Sequence, residues 1–253
     1  MAEVGRVVAL GASNLTRGLR CVIETSRAVW GPDVEVLAAL GHGRSYGARS
    51  QILFRALPGI LQSGLWCALD VAPSLPTQAV IADVGNDVLY GYSAKQILEW
   101  VEEALGRLKR VTPDITLTDL PIASIRRLSP SRYLLFRSVL FPSSQLSLAQ
   151  VREAAEALSA GLQALATVHG IRFFRLDPAW YGFDPIHIRR SCWPSAWQAI
   201  LGAPAARHQG RSSLHEALKL FAMAPERRWI FGVEQVTHQR GAALPSGGRV
   251  WLF

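Results

Sequence analysis

Five short apolar runs recur along the chain: RVVAL (6–10), VEVLAAL (34–40), QAVIADV (78–84), DITLTDL (114–120) and IRFFRLD (171–177). Longer segments separate them, and most carry apolar residues at helical spacing, as Ile97, Leu98, Val101, Leu105 and Leu108 do within 94–110. Neighbouring strands that run in the same direction need a crossover of about a dozen residues or more, usually a helix. Strand and helix alternating at these lengths therefore predict an α/β protein, with a parallel sheet covered by helices on both faces. Further helices are expected over 15–30, about 50–64 and 147–168.

Two stretches break this rhythm. Residues 121–146 form a long connection of the kind that overhangs a site. Beyond about 205, a helix (213–223) precedes RRWIFGVEQV, and the turn signal LPSGG (244–248) precedes RVWLF. This predicts a main domain over 1–204 and an extension over 205–253, a helix and β-hairpin packed on the same domain.

With 49% hydrophobic and 18% charged residues in 253, the chain is apolar enough to bury a core and unlike a disordered one. Its apolar runs are far shorter than the roughly 20 residues of a membrane-spanning helix. The first residues lead straight into a strand without the basic and apolar segments of a secretion signal, so a cytoplasmic location is expected. Cys21, Cys67 and Cys192 show no CxxC spacing, which predicts reduced thiols and no metal. The net charge of +8 is almost wholly arginine, since Lys95, Lys109 and Lys219 are the only lysines. Such a balance permits polyanion binding. The arginines are scattered, however, with pairs only at 126–127, 189–190 and 227–228, so a solvated surface and no nucleic-acid partner are expected.

Ligands in open α/β sheets gather where strands end at their carboxyl edges. The first strand runs into Gly11-Ala12-Ser13-Asn14, the second into Gly41-His42-Gly43-Arg44-Ser45-Tyr46-Gly47 and the third into Asp83-Val84-Gly85-Asn86-Asp87. After the fifth comes Asp184-Pro185-Ile186-His187. These are the parts of an acyl-transfer site. A serine hydroxyl becomes a nucleophile when an imidazole takes its proton, and a carboxylate fixes the imidazole tautomer. The Ser13 N–H, the Gly43 N–H and the Asn86 side-chain amide are candidate donors to an oxyanion. Each piece also has a plain structural reading: a helix start at Ser13, a turn at Asn86-Asp87, a surface turn at Asp184–His187. The segment 41–47 is one residue too long for a dinucleotide fingerprint, and Leu15 breaks the Gly-x-Ser-x-Gly elbow of α/β-hydrolases. Cys192, near His187 in sequence, is an alternative nucleophile. His42, Arg44 and Tyr46 are candidate substrate contacts, and Trp180 with Tyr46 a candidate wall of an acyl pocket. His169, His208, His215 and His238 are given no chemistry.

The order of these elements over residues 6–195 resembles the SGNH (GDSL-type) serine esterase/lipase family. GAS at 11–13 is similar to its first block, GRS at 43–45 to its second, VGND at 84–87 to its third and DPIH at 184–187 to its fifth. The resemblance implies a flavodoxin-like three-layer α/β/α sandwich with a five-stranded parallel sheet. It also implies cofactor-free hydrolysis of a small-molecule ester, thioester or O-acetyl ester. Ser13 would be nucleophile, His187 base and Asp184 its orienter, with Ser13, Gly43 and Asn86 forming the oxyanion hole. Four departures stand out: Ala12 replaces an acidic residue, Thr16 lies one position late, Val84 replaces a glycine, and no asparagine precedes the second block. The Arg44 N–H is the fallback donor if the second block is shifted. The alternative reading is a catalytically altered hydrolase-like module that binds a polyanion.

Overall fold

A computed structural model describes residues 4–141, 144–203 and 213–253. In chain order, β1 (Arg6–Leu10) leads to α1 (Ser13–Trp30), β2 (Glu35–Ala39), β3 (Ser50–Ile52), β4 (Arg55–Leu57) and α2 (Leu65–Val71). Then come β5 (Thr77–Ile81), α3 (Asn86–Leu89), α4 (Ala94–Lys109), β6 (Ile115–Thr118), α5 (Ile122–Arg126), α6 (Pro130–Leu140) and α7 (Leu148–His169). The chain continues through β7 (Arg172–Phe174), α8 (Trp193–Ile200), α9 (Leu214–Ala222), β8 (Arg227–Ile230), β9 (Val233–Val236), β10 (Ala242–Ala243) and β11 (Arg249–Leu252).

The central sheet has the order β10-β11-β2-β1-β5-β6-β7. Every pair from β11 to β7 is parallel, and only β10 runs antiparallel, beside β11. The sheet therefore has seven strands where five were expected. Alternation along each strand makes the three layers. Val8 and Leu10 face the cluster built with α2, α4 and α7, while Val7 and Ala9 face the one built with α1 and α8. On the second face Trp197 of α8 lies against Gly18 of α1, where an added Cβ would stand 1.9 Å from the indole nitrogen. Glycine is what lets the two helices approach so closely. Local signals set the helix ends: Ser147 and Gln150 close a reciprocal cap on α7, and Gly170, left-handed at φ 62°, stops it.

Non-local pairing alters two expectations. The segment 50–64 is not a helix. It forms the β3–β4 hairpin and a short 3₁₀ turn, because β4 pairs with β8 from the far end of the chain. Its apolar spacing fits either structure, and only the partner strand decides. The C-terminal hairpin is present but is built differently from the expectation: β10 and β11 pair antiparallel across the 244–248 turn, and β11 docks beside β2 inside the central sheet. RRWIFGVEQV is a second hairpin, β8–β9, which joins β3–β4 in a separate antiparallel sheet. The expected boundary between 204 and 205 lies outside the described residues, as does His208. Among the described residues, no helix is long and apolar enough to cross a membrane.

Candidate active site

Parallel strands all end at one edge, so residues far apart in sequence meet there. Ser13 opens α1 directly after β1, and His187 lies on the connection that follows β7. Their side chains meet: His187 Nε2 is 2.9 Å from Ser13 Oγ, and His187 Nδ1 is 2.6 Å from Asp184 Oδ2. The second Asp184 oxygen accepts the N–H groups of Ile186 and His187, each at 3.2 Å. Burial alone would raise the Asp184 pKa. The hydrogen bond and charge of His187, with those two N–H groups, outweigh it and hold the carboxyl below its ordinary value. Ser13 and His187 are both buried.

Asp83, just past the end of β5, caps the start of α1. Its carboxylate accepts the N–H groups of Ala12, Asn14 and Leu15 at 2.8–3.1 Å, so it neutralises the start of α1 from a neighbouring strand. Asp83 does this at φ 60°, a left-handed conformation that is costly for most side chains and best tolerated by Asp and Asn. Asn14 ties the two halves of the site together. Its amide NH₂ donates to Asp83 Oδ1 at 2.8 Å and to the Ile186 carbonyl at 2.9 Å, while its oxygen accepts the Ile188 N–H at 2.8 Å. Asn14 thus grips the main chain on both sides of His187. Neither role was visible in the sequence, where Asp83 and Asn14 are only two of several polar residues at strand ends. Thr16, one position late, turns back and donates to the Ala12 carbonyl at 2.6 Å.

The three candidate oxyanion donors share one property. The N–H groups of Ser13 and Gly43 make no hydrogen bond within the described residues, and the Asn86 amide nitrogen is buried without a partner. The N–H groups around them are spent on Asp83 or, for Arg44, on the Gly41 carbonyl at 3.1 Å. That contact excludes the Arg44 N–H as the fallback donor. Gly43 holds its turn at φ 62°, with its carbonyl accepting from the Tyr90 hydroxyl at 2.6 Å.

Two of the expected substrate contacts are corrected. Arg44 is fully buried, donating to the carbonyls of Pro58 (3.0 Å), Leu40 (3.1 Å) and Phe253. Burial pushes its pKa down to about 9. It is an internal strut behind the Gly43 turn, with Nε and Nη1 held by main-chain oxygens and Nη2 buried without a hydrogen-bond partner among the described residues. Tyr46 is equally buried, and its hydroxyl bridges the carbonyls of Ala82 (2.7 Å) and Leu10 (3.3 Å). His42 alone of the three is exposed. Partial desolvation, then the charges of Arg17 and Arg55, push its pKa down to about 4, so it stands neutral beside the site at working pH. Trp180 stacks on Phe174 in the α1/α8 cluster instead of walling a pocket. Cys192 packs against that same cluster, with its thiol 3.8 Å from the Ser191 hydroxyl.

An open-mouthed cavity leads away from Ser13 and Asn86. The ends of β5 and β6 form its floor through Val84 and Leu120, and the 121–146 connection roofs it with Ile125, Leu128, Tyr133, Phe136 and Phe141. Gly43 and His187 do not line it. The walls are mostly apolar and suit a hydrocarbon chain.

Beneath the site, the Asp87 carboxylate is fully buried and accepts the Tyr46 N–H at 2.9 Å, fixing the loop that carries Gly43. Burial pushes its pKa up from 3.8 to about 6, against the opposing hydrogen bonds of Ser45 and Tyr46. Because the folded value is the higher one, the stabilising effect of Asp87 is greatest below the unfolded pKa. It is lost as pH rises through about 6. Asp87→Asn, which keeps an acceptor for Tyr46, has no such loss. Between pH 4 and 8 the variant is expected to gain up to about 3 kcal/mol relative to wild type in urea unfolding. A difference that does not change with pH would show that Asp87 is not the titrating group.

No protein-family model matches the chain, and no curated protein matches it. Solved structures do. A member of the lipolytic protein G-D-S-L family from Veillonella parvula DSM 2008 aligns at 12% identity over 79% of this chain and 100% of its own, with a TM-score of 0.50. Another crystal structure aligns at 16% identity over 79% of this chain and 96% of its own, with a TM-score of 0.51. The psychrotrophic esterase EstA from Pseudoalteromonas sp. aligns at 9% identity over 78% and 95%, with a TM-score of 0.49. At identities this low the likeness is one of fold, and the chain has the three-layer α/β/α fold of a lipolytic G-D-S-L protein.

Proposed function

We propose that the chain is a serine hydrolase of the SGNH (GDSL) type that cleaves a carboxylic ester, thioester or O-acetyl ester through an acyl-enzyme. Ser13 Oγ attacks the carbonyl carbon while His187 Nε2 takes its proton. The imidazolium then protonates the leaving oxygen or sulfur, and the acyl group stays on Ser13. Water, deprotonated by His187, attacks the acyl carbon and releases the acid with Ser13 restored. Asp184 keeps the Nδ1 proton of His187 in place, and the Ser13 N–H, Gly43 N–H and Asn86 amide receive the oxyanion. The observation that carries this reading is the unbroken Ser13–His187–Asp184 line beside three donors that have no partner of their own. The fold likeness agrees with it.

A fluorophosphonate probe tests it directly: covalent labelling that maps to Ser13 is the expected result. Hydrolysis of p-nitrophenyl esters from C2 to C12 then measures how far the cavity accepts a chain. The competing reading, a module that binds polyanions through its +8 charge, instead expects salt-sensitive heparin binding and no labelling.

A further inference from the structure

One polar pair inside the cavity has no part in the mechanism above. Tyr181 lines the cavity and is 8% exposed, yet its hydroxyl is buried without a hydrogen-bond partner. Asp119, at the end of β6, lines the same cavity. One of its oxygens takes the Ser159 hydroxyl and the Leu120 N–H at 2.7 Å each, and the other, Oδ2, takes no hydrogen bond from the described residues. Leaving a buried donor unpaired costs about 1–3 kcal/mol, so a native orphan in a ligand cavity asks for a reason.

The topology says which part of a substrate would meet this pair. Gly43 follows β2, on one side of β1, whereas Asp119 and Tyr181 follow β6 and β7, on the other. The Gly43 turn and the Tyr181 side thus flank Ser13 from opposite directions, with Asn86, after β5, on the cavity side between them. Tyr181 also lies within electrostatic reach of Asp83, which caps the Ser13 helix, and of Asp184, so it is near the reacting end of the cavity. Burial and those carboxylates raise its pKa, which keeps the hydroxyl protonated and a donor.

We propose that the cavity selects an acyl group bearing a hydroxyl near its carboxyl end, read by Tyr181 as donor and Asp119 Oδ2 as acceptor. A hydroxyl is the group that both accepts from a phenol and donates to a carboxylate, and the apolar remainder of the cavity holds the chain beyond it. The acyl side of this assignment rests on the hydrolase reading, but the recognition of the hydroxyl does not need turnover. A site built to pair a substrate hydroxyl discriminates strongly against the analogue that lacks it.

Calorimetric binding of 3-hydroxyoctanoate and octanoate to wild type and Tyr181→Phe tests the proposal apart from catalysis. The expected result is at least about tenfold tighter binding of the hydroxy acid by wild type, falling to near parity in Tyr181→Phe, with octanoate affinity unchanged. The thermal midpoint of Tyr181→Phe should equal or exceed that of wild type, since no internal bond is lost. Equal binding of the two acids by wild type overturns the proposal. So does a preference that survives in Tyr181→Phe, or a variant that loses both acids alike. A retained hydroxyl preference with no fluorophosphonate labelling would sink the hydrolase reading and leave this one standing.

Discussion

Ser13→Ala is expected to lower kcat on p-nitrophenyl acetate by about 10⁵-fold or more, with KM little changed and fluorophosphonate labelling abolished. The effect is this large because the reaction loses its nucleophile, while every other contact at the site survives. The proposed oxyanion donors remain, since Asn86 and the main-chain N–H groups do not depend on the Ser13 hydroxyl. His187 also remains held by Asp184 and by the Asn14 grip on its main chain. The variant should therefore fold as wild type does and bind ester normally. Hydrolysis at the wild-type rate would remove Ser13 from the chemistry and with it the proposed mechanism.

The second large effect is at Asp184. Asp184→Asn is expected to cost about 10⁴-fold in kcat while leaving the fold intact. The Asn oxygen can still accept the Ile186 and His187 N–H groups, so the turn persists. Its amide NH₂ then faces His187 Nδ1 and forces the ring proton onto Nε2, the nitrogen that must receive the Ser13 proton. Labelling by fluorophosphonate should slow by a comparable factor, because that reaction uses the same proton transfer. The pH dependence of stability gives an independent check. A carboxyl held below its ordinary value stabilises the fold above that ordinary value, 3.8, and loses the contribution as pH falls through the lower folded value. The variant should thus lose that part of its acid sensitivity below about pH 4. An Asp184→Asn protein with near-normal turnover would mean that His187 is oriented by something else.

The residues that were legible in the sequence share a cause. The runs at 6–10, 34–40, 78–84, 114–120 and 171–177 declare themselves by local pattern, and parallel strands place their ends at one edge whatever the details. That is how Ser13 and His187, 174 positions apart, could be paired on paper and are found 2.9 Å apart. What escaped depends on partners distant in sequence. The 50–64 segment takes its strand form from β8, and Arg44 is buried because carbonyls at 40, 58 and 253 surround it. An arginine in a glycine-rich loop reads as a surface residue until those three oxygens are known. Tyr46 misled for the same reason, since its hydroxyl is satisfied inside the sheet edge and not at a ligand. Tyr181 escaped because an orphan hydroxyl is a property of the packed cavity, and the neighbouring Trp180 carries the same aromatic signal.

The strut from Arg44 to the Phe253 oxygen has a temporal implication. A ribosome delivers the chain from its amino terminus, so the turn bearing Gly43 emerges some 200 residues before the strand that braces it from behind. Until β11 has been made and slotted beside β2, a nascent chain holds Ser13 and His187 but an unbraced Gly43 turn. The brace on the Gly43 turn is thereby deferred until β11 is made, and fragments that stop short of β11 are expected to lack it even where the rest of the sheet has formed.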